Sequence, residues 1–159
     1  MSRTNPRVQV DPSRIFDIAV DISAPPERVW QVMSDVERWP EWTASVQSVK
    51  RLDSGPFRVG SRARVKQPKF LPAVWEVTEL DAPRSFTWVT RSPGVVASGR
   101  HRVESSSRGS RATLSVAYGG LLGGLAAKLL SGLTDRYLMY EAAGLKERSE
   151  AYVQPTKRS

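Results

Sequence analysis

"APPERVWQVMSDVERWPEW", residues 24–42, changes its hydrophobic period part-way and so fixes how the elements on either side connect. Pro25 and Pro26 suit a first helical turn, where an amide hydrogen is not needed, and Glu27 favours that pole of the helix dipole. Val29, Met33 and Val36 then fall on one helical face with Trp30 and Val32 at its flanks, which predicts a short amphipathic helix. Pro40 removes an amide hydrogen and pushes Trp39 out of helical geometry, so "VERW" adds at most one more turn. Trp39 and Trp42 are thereby expected at a junction between helix and sheet.

Upstream, "RIFDIAVDIS" alternates Phe16, Ile18, Val20 and Ile22 against Ile15, Asp17, Ala19 and Asp21, the period of a half-buried strand. Downstream, six strand-like runs are each closed by turn residues. They are "TASVQSVKRL", "SRARVKQ", "AVWEVTEL", "SFTWVTR", "VVASGRHRVES" and "SRATLSVAYG". Connections this short favour antiparallel neighbours, hence a meander. Phe86, Trp88 and Thr90 share one face of their strand, and Arg62, Arg64 and Lys66 share the water-facing side of theirs. Residues 120–152 then predict a long helix. Leu122, Leu125, Leu129, Leu133, Tyr137 and Tyr140 recur along it at threes and fours. Its start carries Gly119, Gly120, Gly123 and Gly124, each costing about 1 kcal/mol inside a helix relative to alanine. Either the helix begins after Gly124 or its first turn opens as a gate.

The 159 residues fit one domain, expected over 15–152 between loose tails at 1–14 and 153–159. The absence of cysteine excludes disulfides, thiolate metal sites and a cysteine nucleophile. One histidine, His101, leaves histidine-based metal sites short of ligands, and no cofactor or metal is expected. No run approaches the length of a membrane span and the amino terminus lacks a signal-peptide core, so the expectation is a cytoplasmic protein. The formal net charge is +8, and no acid falls between Asp53 and Glu76. Two readings stay open for that stretch: a solvated strand face, or an attachment surface for anionic membrane through Arg62, Arg64 and Lys66, with nucleic acid the less favoured partner.

The order strand, two short helices, six antiparallel strands and long terminal helix resembles the START-like, or SRPBCC, superfamily. Within it the chain is most similar to the polyketide cyclase/dehydrase and lipid-transport branch. The segments that carry the resemblance are residues 24–42, "DAPRSFTW", "GRHRVE", "GSRATLSV" and "GLKERSEAY". It implies an α+β helix-grip fold, in which a seven-stranded curved antiparallel sheet wraps the carboxyl-terminal helix around an enclosed cavity. The lining candidates are Trp39, Trp42, Trp75, Trp88, His101, Tyr118, Leu125, Leu129, Leu133 and Tyr137.

The resemblance implies binding or transport of a hydrophobic or amphipathic small molecule, such as a lipid, isoprenoid or polyketide-like compound. An alternative is a polyketide aromatase/cyclase using the same cavity, although the balance of residues leans away from an enzyme. There His101 would be general base and Tyr118 or Tyr137 the hydrogen-bond donor to an enolate. His101 shares strand parity with Gly99 and Val103, an inward placement that a register slip of one residue would reverse. Glu76 and Glu79 have opposite parity, so only one of them is expected to face the cavity. Monomer and homodimer are both compatible with the sequence.

Overall fold

A computed structural model describes residues 14–151. The tails expected over 1–14 and 153–159, and the domain's last residue Tyr152, lie outside the described residues apart from Arg14. β1 (Ile15–Ile22) leads into α1 (Pro26–Ser34) and a stretch of 3₁₀ helix, Val36–Glu41. β2 (Ser48–Arg51), β3 (Arg62–Lys66), β4 (Ala73–Asp81), β5 (Ser85–Ser92), β6 (Val95–Ser106) and β7 (Gly109–Gly119) follow, and α2 (Gly123–Glu150) closes the fold.

The seven strands form one antiparallel sheet in the order β1-β7-β6-β5-β4-β3-β2. Consecutive strands pair throughout the meander, and β1 closes on β7 from Ile15 opposite Ala117 to Ile22 opposite Ser110. Period-two alternation decides which face is covered. Ala63, Val65, Val77, Phe86, Trp88, Val103, Ala112 and Leu114 are buried in one core with Val29, Met33, Leu138 and Leu145 of the helices, while Arg62, Arg64, Arg100 and Arg102 face water.

Three local features depart from the expected pattern. Residues 43–47 precede β2 as turn and irregular chain; there the Thr43 and Ser45 hydroxyls bond each other at 2.8 Å. A bulge in β4 between Val77 and Glu79 resets the alternation. Glu76 and Glu79 therefore both lie on the exposed side, and neither enters the interior. α2 begins at Gly123, two residues before the Leu125 start that propensity favoured, after a turn made possible by Gly120. Gly120 has φ +88°, and a Cβ there would sit 2.6 Å from the Gly94 carbonyl oxygen. The Leu122 amide donates to that same oxygen at 2.8 Å, tying the helix start to the β5–β6 turn.

The phase of α2 differs from the leucine stripe. Its buried residues are Ala127, Thr134, Tyr137, Leu138, Glu141, Ala142, Leu145 and Ser149, with Gly123 and Gly144 at close approaches. Gly144 packs so tightly under the 3₁₀ segment that a Cβ would overlap the Trp42 carbonyl oxygen. Leu125 and Leu129, expected on the cavity wall, are 54% and 72% exposed. Leucines mark a helix face but not which way it points. Here the inward face is the one small enough to sit on the sheet and polar enough to meet His101.

Candidate functional site

The residues expected to line one cavity separate into three places. His101 lies in β6 directly opposite Phe86 of β5 and Leu114 of β7, and its side chain points inward as its parity requires. The residue is 5% exposed. Its ring stacks on Phe86 at 4.6 Å and 10°, with the Trp39 ring at 5.0 Å and the Trp88 ring edge-on at 6.2 Å. Trp88 in turn packs on Trp39 at 5.1 Å and Trp75 at 5.6 Å. At the level of His101, the space expected to be cavity is filled by these rings. Gly99 completes the packing: a Cβ there would lie 3.1 Å from the Trp88 indole nitrogen.

From the helix side, Glu141 reaches into this aromatic box. Its Oε1 is 2.6 Å from Nε2 of His101, and the residue is 8% exposed. A contact that short holds a proton on the axis between the two atoms. Nδ1, the other ring nitrogen, is buried without a hydrogen-bond partner. A carboxylate that fixes one imidazole nitrogen while leaving the other to accept or donate a proton is the arrangement on which histidine acid–base chemistry relies.

Two helical turns toward the amino terminus of α2, a second polar pair bridges helix and sheet. The Tyr118 hydroxyl of β7 and the Thr134 hydroxyl are 2.7 Å apart and buried. Burial pushes the Tyr118 phenol above the ordinary tyrosine range, outweighing the lowering by the Thr134 hydrogen bond. Thr134 and Glu141 are seven residues apart on α2, about 10 Å at the helical rise of about 1.5 Å per residue. On the sheet, Tyr118 is four residues beyond Leu114, the partner of His101. Tyr118 is therefore not beside His101, as a joint action on one enolate would require. Tyr137 is committed elsewhere, since its hydroxyl donates to the Pro68 carbonyl and its ring meets Phe70 at 6.1 Å.

The third place is outside. Trp42 leans on Trp39 at 5.6 Å but borders an open groove of about 400 Å³ together with Pro40, Glu41, Gly144 and Arg148. Trp39 instead is buried, its indole nitrogen donating to the Met33 carbonyl at 3.1 Å. The tryptophan pair thus divides, one ring for the interior and one for the rim. Leu133 is half-buried, and Leu125 and Leu129 belong to the surface. Glu141 and Thr134 were absent from the sequence candidates because neither adds to an apolar stripe. Their spacing with Leu138 and Leu145 (134, 138, 141, 145) was the available signal.

Residues 13–150 match the family model described as polyketide cyclase / dehydrase and lipid transport. The chain belongs to this family. Among solved structures, the Zhui aromatase/cyclase from Streptomyces sp. R1128 superposes with a TM-score of 0.73 at 18% identity, covering 91% of this chain and 98% of that one. A protein from Thermus thermophilus gives 0.69 at 22% identity, covering 86% and 97%. Ara h 8.0201 gives 0.61 at 12% identity, covering 82% and 96%. These likenesses establish the helix-grip fold expected from the sequence. The curated proteins include no sequence match to the chain. Among the described residues no helix is long and apolar enough to cross a membrane.

Proposed function

We propose that the protein binds an elongated amphipathic small molecule between the sheet and α2, with a polar group of the ligand addressing Nδ1 of His101. The observation that carries this reading is the orphaned nitrogen beside a buried glutamate in an aromatic box. Burying a carboxylate and an imidazole together is costly, and well-packed apolar side chains would stabilise a core as well or better. A buried polar atom without a partner calls for one, and a ligand hydroxyl or carbonyl supplies it. The second pair, Tyr118–Thr134, offers another polar contact about 10 Å away along α2. That spacing suits a chain or fused-ring compound with separated oxygens rather than a plain hydrocarbon. Occupancy requires the rings around His101 to part, which lowers apparent affinity by the population of the opened state.

The test is a tryptophan fluorescence titration with a long-chain fatty acid, an isoprenoid quinone and a polyketide-like aromatic ketone. Trp39 and Trp88 lie against His101, so a ligand seated there changes their emission. A saturable response to at least one compound, lost in Gly99→Val, supports the reading; silence across the panel refutes it. A second reading, the aromatase/cyclase, draws on the same nitrogen. Nδ1 would take a proton from carbon next to a ligand carbonyl while Glu141 stabilises the imidazolium formed. In that case His101→Ala abolishes cyclisation of a poly-keto chain while fluorescence-detected binding persists. Equal turnover by parent and variant removes His101 from that role.

A further inference from the structure

The leucine stripe of α2 faces away from the core. Leu121 is 97% exposed and Leu122 half exposed where β7 passes into α2, and Leu125 and Leu129 continue the row along the helix. Leu71 in the β3–β4 loop is 87% exposed. The loop is held to α2. Tyr137 donates to the Pro68 carbonyl and packs against Phe70, while Lys66 donates to the carbonyls of Gln67 and Phe70. On the other side the exposed β5–β6 turn at Pro93 and Gly94 receives the Leu122 amide. The apolar row thus sits on a tied frame of three segments.

The charge around this row has one sign. No carboxylate occurs between Asp53 and Glu76, or between Glu104 and Asp135. The exposed charges flanking the leucines are Lys69 beside Leu71, Lys128 between Leu125 and Leu129, and Arg91 ahead of the β5–β6 turn. Asp135, the next acid along α2, lies two turns beyond Lys128. Leucines bordered by cations match an anionic lipid surface, which takes apolar side chains into its acyl boundary and basic ones at its headgroups. A second copy fits less well, since a two-fold contact through this row would bring Lys69, Lys128 and Arg91 against their own likes. We infer that this rim docks the protein on an anionic phospholipid bilayer, with Leu71, Leu121, Leu125 and Leu129 entering the interface. This surface differs from the Arg62, Arg64 and Lys66 face expected from the sequence, where Lys66 is turned into the loop and Arg62 lies opposite Glu76. The inference stands independently of what the interior binds.

The test is co-sedimentation of the full chain with vesicles of phosphatidylglycerol and phosphatidylcholine in equal parts, against phosphatidylcholine alone. The parent is expected to sediment with the anionic vesicles and to be released by salt. Leu121→Ser with Leu125→Ser should weaken partition about tenfold or more. Lys69→Gln and Lys128→Gln should each weaken it about fivefold. All four positions are exposed, so far-UV circular dichroism should not change. A parent that ignores both vesicle types, or leucine variants that bind like the parent, overturns the inference. So does a solution dimer, seen by light scattering, that the leucine variants dissociate. Tryptophan fluorescence titration of the same variants keeps the two proposals apart. Vesicle binding lost with ligand response intact isolates the docking rim, and the converse isolates the interior.

Discussion

Removing Glu141 tests whether the buried dyad is held as described. Glu141→Ala deletes the acceptor facing Nε2 of His101, whose Nδ1 already has none, and leaves the ring enclosed by Phe86, Trp39 and Trp88. Stranding one buried donor costs about 1–3 kcal/mol, and breaking a buried charge pair about 3–5 kcal/mol. Taking about 2–3 kcal/mol, and about 2–4 °C per kcal/mol for a chain of this size, the midpoint should fall by roughly 4–12 °C. Glu141→Gln keeps an oxygen acceptor for Nε2–H and should stay within about 1 kcal/mol of the parent. The double replacement His101→Phe with Glu141→Leu removes both polar groups and should recover most of the loss. Urea and thermal unfolding followed by tryptophan emission and circular dichroism measure all four proteins. A Glu141→Ala variant as stable as the parent would refute the buried pair.

Two glycines of α2 should respond with opposite sign. Gly132 has open space around a prospective Cβ, so Gly132→Ala should gain about 1 kcal/mol from helix propensity. Gly144→Ala gains the same propensity but overlaps the Trp42 carbonyl, so it should lower the unfolding midpoint and shift tryptophan emission; a stabilised Gly144→Ala would contradict the packing. The raised Tyr118 phenol gives a pH signature. Its stabilising contribution is whole below the ordinary tyrosine value of 10.0 and is lost as pH climbs through the higher folded value, because above 10.0 the unfolded chain releases the proton first. Tyr118→Phe should therefore flatten the fall in stability at alkaline pH, leaving the part due to Tyr137; an unchanged slope would remove Tyr118 as its source.

The strands were legible because alternation and turn residues report the same boundaries. "AVWEVTEL" became Ala73–Asp81 and "SFTWVTR" became Ser85–Ser92. The inward turn of His101 followed from parity with Gly99 and Val103 in a strand without interruption. Parity failed for Glu76 and Glu79, where a bulge inserts one residue and no residue type announced it. The helix misled for a different reason. The first half of its most apolar stripe, Leu122, Leu125 and Leu129, is a surface flank, and the face on the sheet carries Thr134, Glu141 and Ser149 among small and apolar residues. Hydrophobic period identifies a buried face only where the core itself is apolar. The partner of His101 was hidden by the feature that makes the site chemical.

The most direct measurement is the long-range proton–nitrogen spectrum of uniformly ¹⁵N-labelled protein, because its single histidine gives unambiguous ring signals. A ligand that answers the fluorescence titration should move the His101 ring nitrogens along a saturable curve, Nδ1 most, and Gly99→Val should abolish the shift. Ring signals that stay fixed while a ligand binds would place it elsewhere and contradict a site between the sheet and α2.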